Sequence, residues 1–192
     1  MANCTGVLAG DIINDCTKKP IGGLESTIYL FNRSELTGVT ISPTNKNLMT
    51  AIDVITTKKG FKYEGFKKTA NAGFDLVVAD NLPDAYTQIL SLIVWGIDSA
   101  TVLQLNNLND IVAVVENKNK GVSGDGAFEV YGYETGLYKT SFTKRSNDNG
   151  GTFSLEMGTQ SGEESSVSHH ILHSTNYAAT KAMLDALLIT QA

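Results

Sequence analysis

Proline and cysteine are scarce in this chain of 192 residues, which has three of the first and two of the second. Cys4 and Cys16 form no C-x-x-C pair and fall far below the density of a disulfide scaffold, so free thiols are read ahead of a single bridge between them, which stays open. Long apolar runs are missing too: none reaches the roughly 18 residues that a membrane helix needs. The opening MANCTGVLAGDIINDC has no basic flank before a long apolar core. The chain is therefore expected to be made and kept in solution, with no membrane partner. Positive charge is in deficit, with 15 Lys and Arg against 20 Asp and Glu and a net charge of −5. That balance excludes a grip on nucleic acid through a field spread over the whole surface, because phosphate contacts need Lys and Arg, and leaves only a local basic patch open. Catalytic signatures are absent as well. No G-x-S-x-G elbow occurs, and a triad would have to converge from afar on the single segment that holds all three histidines.

What is abundant points to sheets. Eighteen glycines, with many Thr, Ser and Asn, suit strands joined by tight turns, since glycine reaches positive φ at little steric cost. The chain is long and apolar enough for one sizeable core, and a single domain from 25 to 192 is expected behind an N-terminal arm, 1 to 24, that shows no period. Strand candidates follow one another: Ser26 to Phe31, Val39 to Ser42, Ile52 to Thr57 and the alternating Phe61 to Glu64. Later come Ile111 to Val115, Phe128 to Tyr133, Leu137 to Thr143 and Thr152 to Met157, a run expected to pair antiparallel. Two helices are expected among them. Asp80 to Gly96 offers Asp80 or Asn81 as cap, Pro83 in the first turn, and Tyr86, Ile89, Leu90, Ile93 and Val94 on one face. Tyr177 to Ile189 is rich in helix formers, with Ala179, Met183, Ala186 and Leu187 near one face. The class is thus α+β, mainly β, with one central and one C-terminal helix.

Four segments invite a chemical reading. His169 and His173 would share a helical face and form a metal site with His170, but the metalloprotease pattern needs a glutamate where His170 stands. On a strand, His170 would turn away from the other two. The GVSGDG stretch at Gly121 to Gly126 has the glycines of a phosphate loop without its lysine or its helix, and reads as a wide hairpin turn. Glu163 and Glu164 are adjacent and face opposite sides of a strand, so they make no facing carboxylate pair. Lys59, Lys62, Lys67 and Lys68 interleave with Phe61, Tyr63 and Phe66 as in a stacking platform for single strands, and equally as in any half-buried strand. No catalytic, cofactor or metal residue is assigned on these signals.

One stretch resembles a known family. An apolar strand ends in Val114 to Asn117 (VVEN), a glycine-rich turn follows, then Phe128 to Leu137 (FEVYGYETGL) and Gly150 to Glu164 (GGTFSLEMGTQSGEE). The lead-in through Asp15 and Cys16 to Gly22, Gly23 and STIYL, and the KKTANAGF segment of the middle, extend the likeness over most of the chain. Together they resemble the tail tube (major tail) proteins of phages infecting Bacteroidetes. The resemblance implies an antiparallel, tail-tube-like β-sandwich or barrel whose copies form rings, hexameric in that family, that stack into a conduit for DNA. It also implies a virion protein made in the host bacterial cytoplasm, no enzyme and no cofactor. Its partners would be its own copies, other tail proteins and passing DNA held without sequence preference. Acidic side chains facing the lumen would suit such a conduit by repelling phosphates. Alternatives that stay open are another tail or head-to-tail joining protein, and a small metal-binding protein or enzyme built on His169, His170 and His173.

Overall fold

Every side chain from Ile111 to Glu116 is buried, a state that a strand reaches only when both faces of its sheet are covered. The computed structural model shows what covers them; it describes residues 11–12, 21–66, 68–78, 80, 83–121 and 123–188. The strands of the first half are β1 Leu24–Asn32, β2 Leu36–Ile41, β3 Leu48–Val54, β4 Phe61–Glu64, β5 Ala70–Val77 and β6 Ala85–Val94. Helix α1, Ser99–Asn107, precedes β7 Ile111–Asn117, β8 Phe128–Tyr131, β9 Tyr138–Lys144 and β10 Phe153–Gly158. A short β11, His170–Leu172, and helix α2, Tyr177–Ala186, complete the described fold.

These strands form a seven-stranded sheet in the order β2-β3-β11-β8-β7-β1-β4 and a four-stranded sheet in the order β5-β6-β10-β9. The two pack face to face. Ile28, Leu30, Ala113 and Val115 of the larger sheet meet Leu90, Leu92, Phe153, Leu155 and Met157 of the smaller one in a first core, which Leu105 of α1 closes at one end. The opposite pleat of the larger sheet, with Tyr29, Phe31, Val112, Val114 and Val130, packs with Leu184 and Leu187 of the α2 segment in a second core. Three layers result, with β7 in the middle one. Gly132, at φ 80°, turns the chain out of β8 where a Cβ would lie 2.6 Å from the Ile111 carbonyl oxygen, so only glycine fits.

The mainly β, two-helix class holds, with four corrections in detail. Asp80 to Gly96 is no helix: its core is β6, hydrogen-bonded to β5 on one side and β10 on the other. The residues that fit a helical face also alternate, and with Tyr, Thr, Ile and Val among them the ladders on both flanks decide. The central helix is instead α1, whose Asp98 cap accepts hydrogen bonds from the Thr101 amide at 2.9 Å and the Thr101 hydroxyl at 2.7 Å. The buried stripe of α2 is Thr180, Leu184 and Leu187 with Met183 at its margin, while Ala186 is exposed. The packing stripe is therefore rotated away from Ala186. Finally, β11 runs parallel to β3, so the larger sheet is mixed. The expected arm falls almost wholly outside the described residues, as do both cysteines; Leu24 already opens β1.

Candidate assembly surfaces

The four-stranded sheet has one face in the first core and one face outward. On a pleated sheet the paired residues of neighbouring strands share a face, so the ladders define the outer one. Asn71 and Asp75 of β5 lie beside Ser91 and Thr87 of β6. Ile93 and Ser91 lie beside Ser154 and Glu156 of β10, and these beside Thr143 and Ser141 of β9. Gly73 and Gly158 flank Ile89, and on β9 Tyr138 pairs with Gly158 while Thr140 lies against it. The side chains of this wall are mostly small and polar, and acidic at two points. Both lysines of β9 leave it. Lys139 turns to the carbonyls of Leu105 and Asn106, at 3.1 and 2.6 Å, and Lys144 lies 4.8 Å over the Phe153 ring. No Lys or Arg stands among the outward strand residues of the wall, although Lys144 and Arg145 border it, sharing a hollow with Thr143 and Ser154 and with Arg145 3.6 Å from Asp148.

Among the described residues its two borders, β5 and β9, have a ladder on one side only. They run in opposite directions, because each of the three pairings between them is antiparallel. On its outer side each has no strand partner among the described residues, the template on which another strand adds.

Beside this sheet, where β6 ends against β4 and α1, lies a cavity of about 730 Å³. Tyr63 donates a hydrogen bond to the Ile93 carbonyl oxygen at 2.7 Å and so ties the edge strand β4 to β6. Phe66 packs on Trp95 with ring centroids 5.5 Å apart. Phe61, Phe66 and Trp95 line the cavity and remain 46%, 56% and 57% exposed. At the other end of β6, Phe74, Leu76 and Val78 are exposed as well. The molecule thus carries two apolar patches at opposite ends of one ribbon.

No family model, curated protein or solved structure matches this chain. Its own side chains are therefore the ground for any functional reading.

The three histidines do not converge. His169 is a plate between Phe74 and Tyr131, at centroid distances of 5.4 and 5.9 Å. His170 turns to the other side, where its Nδ1 lies 3.0 Å from the Lys46 carbonyl oxygen and its ring meets Tyr133 edge-on. Since a carbonyl only accepts, Nδ1 carries the proton and Nε2 is a buried acceptor without a partner. Burial also lowers the His170 pKa. His173 is held through its backbone amide on Met49 at 2.9 Å. Among the described residues, no group of three His, Cys, Asp or Glu could hold a metal.

The other singled-out segments are structural. GVSGDG lies in the connection of the β7–β8 antiparallel hairpin, with Val122 outside the described residues. Glu164 accepts a hydrogen bond from the Gly162 amide at 3.0 Å and closes a turn. In the lysine and aromatic run, Lys62 pairs with Glu64 at 3.3 Å and Tyr63 faces inward, as a half-buried strand dictates; Lys67 is outside the described residues.

Sequence reasoning passed over two buried polar groups. The Glu116 carboxylate accepts from Tyr177 at 2.6 Å, Lys120 at 2.8 Å and Lys181 at 2.9 Å, pinning α2 to β7. Gln88 receives the Gly132 amide at 2.6 Å and donates to the carbonyls of Ser168 at 2.8 Å and Val167 at 3.2 Å. A glutamate closing an apolar run was the one signal for the first; the second had none. No helix among the described residues is long and apolar enough to cross a membrane.

Proposed function

We propose that this protein is a self-assembling structural subunit of a bacteriophage tail tube, whose copies close into rings through the four-stranded sheet and stack to enclose passing DNA. The observation that carries the reading is the outer wall of that sheet: mostly small and polar side chains with Asp75 and Glu156, and no Lys or Arg among its outward strand residues, between two borders that no further strand covers among the described residues. In solution such a wall has no evident purpose. Facing a lumen, its two carboxylates repel phosphate, and its outward strand residues offer no cation to hold a duplex.

The borders supply the closure. β5 of one copy meeting β9 of the next continues the antiparallel alternation, and because the two borders differ the contact is head-to-tail, the kind that generates rings. Six copies per ring is the number that the resemblance to tail tube proteins implies. The apolar patches at both ends of the β5–β6 ribbon leave further surface to be covered in an assembly.

Negative-stain electron microscopy and light scattering of the purified full chain, across concentration and salt, test the reading. Rings of uniform diameter, with or without stacking, are the expected result. A chain that stays monomeric at every concentration, alone and with other tail proteins, overturns it.

A further inference from the structure

Between β3 and β8 the larger sheet is held by the short strand β11, through two residue pairs on each side. The chain is anchored before and after it. Gln88 takes up the carbonyls of Val167 and Ser168, and the Ser174 amide donates to the Thr180 hydroxyl at 3.0 Å. The stretch from His169 to His173 is thus bounded by two fixed points. Inside it, Leu172 is buried in the second core, and the amides of Ile171 and His173 donate to the carbonyls of Asn47 and Met49 at 2.6 and 2.9 Å.

His170 is 3% exposed, and its ring is held through one nitrogen: Nδ1 donates to the Lys46 carbonyl oxygen at 3.0 Å, while Nε2 is buried without a partner. A second proton makes Nε2 a donor that nothing accepts and leaves a full charge out of water. The surrounding groups do not neutralise it. Past the end of β8, Tyr133 meets the ring edge-on, and Glu134, whose carboxylate favours the charge, is already engaged by Ser165 and Ser166. On β8 itself Glu129 points to the other face of the sheet, where Tyr131 donates to it at 2.7 Å and His169 lies 3.9 Å away. β3 has Asp53 as its one titratable residue, beyond the stretch that pairs with β11, and Lys46 in the β2–β3 turn is exposed. On α2, Tyr177 and Lys181 serve Glu116, and Asp185 serves Tyr29. Within the strand, a charged His169 repels His170, and His173 also has a buried ring nitrogen, Nδ1, without a partner.

We infer that β11 is an acid-operated latch: when His170 takes up a second proton, β11 opens between β3 and β8 while the four-stranded sheet stays closed. In the open form both ring nitrogens meet water, which solvates the charge that the closed site leaves unpartnered. Each opening uncovers the border of β3 at Leu48 and Met49 and that of β8 at Glu129 and Val130, where another strand can add. The latch rests on β11 and its surroundings alone, so it stands or falls apart from the tube.

Hydrogen exchange of the native full chain, followed by NMR from about pH 7.5 to about pH 5 and corrected for the chemical exchange rate, tests it. Protection of the Ile171 and His173 amides is expected to fall by up to about tenfold per pH unit below 6.5, the slope of one linked proton, and to be insensitive to low urea, as a local opening is. Amides of β6 and β10 are expected to exchange more slowly at every pH, and through a urea-dependent opening. In His170→Asn, which keeps a donor for the Lys46 carbonyl but takes up no proton, the slope at Ile171 and His173 is expected to vanish. If that variant does not fold, the NMR titration of the wild-type ring decides: it is expected below the ordinary 6.5, and a value at or above 6.5 overturns the latch. Protection that does not change with pH, an unchanged slope in His170→Asn, or exchange of Ile171 and His173 in step with β6 and β10 overturns it as well.

Discussion

Glu116 is 1% exposed, in a strand whose residues from Ile111 to Val115 are all apolar. Burial alone would raise its pKa, but hydrogen bonds from Lys120, Tyr177 and Lys181 outweigh it and hold the carboxyl below its ordinary 4.5. A depressed folded value means that its contribution is complete above about pH 4.5 and is lost as pH falls through that lower value. Glu116→Ala is expected to cost on the order of 2 kcal/mol at pH 7, read from urea denaturation, and to flatten stability below pH 4.5. An unchanged acid limb would remove Glu116 from that role. His170 acts in a different window. Its burial keeps the folded ring neutral, so the unfolded chain takes up the proton first as pH falls below 6.5, and stability drops. His170→Asn is expected to abolish the slope between pH 6.5 and 5 while changing stability at pH 7 by no more than about 1 kcal/mol; the urea midpoint at both values checks it.

Helix α2 covers a sheet face that would otherwise meet water, and Leu184, fully buried, is the centre of its stripe. Leu184→Ala is expected to cost about 3 kcal/mol, part lost transfer energy and part cavity, by urea denaturation. A cost under 1 kcal/mol would mean that the helix is not docked. This helix was legible because its residues favour helix and nothing else; its facing was misread because Ala179 and Ala186 weigh little in an apolar stripe. The strands from β7 to β10 were legible for a similar reason, with apolar or alternating runs set off by glycine turns. β6 was not, since Tyr86 to Val94 satisfies a helical and a strand period together, and only the neighbours on both sides settle it. β5 is written ANAGFDLV, whose Ala, Asn, Gly and Asp argue against a strand that tertiary pairing nevertheless makes. α1 buries only Leu105, too thin a signal to find. Of the candidate site, the excess of acid was visible in composition, but its two positions on one wall needed the register, and the cavity needed three elements distant in sequence.

At the scale of the molecule, the wall predicts behaviour toward DNA. In assembled particles, Ser154→Lys with Glu156→Lys is expected to convert weak duplex binding into retention that falls steeply with added salt. Filter binding at two ionic strengths reads this, and retention equal to that of wild type would show that the wall does not face the duplex. The larger sheet carries a different consequence. Among the described residues its β2–β3 hairpin joins the other strands of the sheet through β11, three residues long, with backbone hydrogen bonds donated by the Ile171 amide to the Asn47 carbonyl at 2.6 Å and by the His173 amide to the Met49 carbonyl at 2.9 Å. During synthesis, β3 and β8 therefore wait with bare facing borders until residue 172 has been added. From residue 131, where β8 ends, to residue 172, where β11 ends, the growing sheet is open at that slot. The slow step of making this protein is then expected to be the insertion of its last strand, a late keystone whose arrival pulsed hydrogen exchange would record as simultaneous protection of the Met49 and Val130 regions.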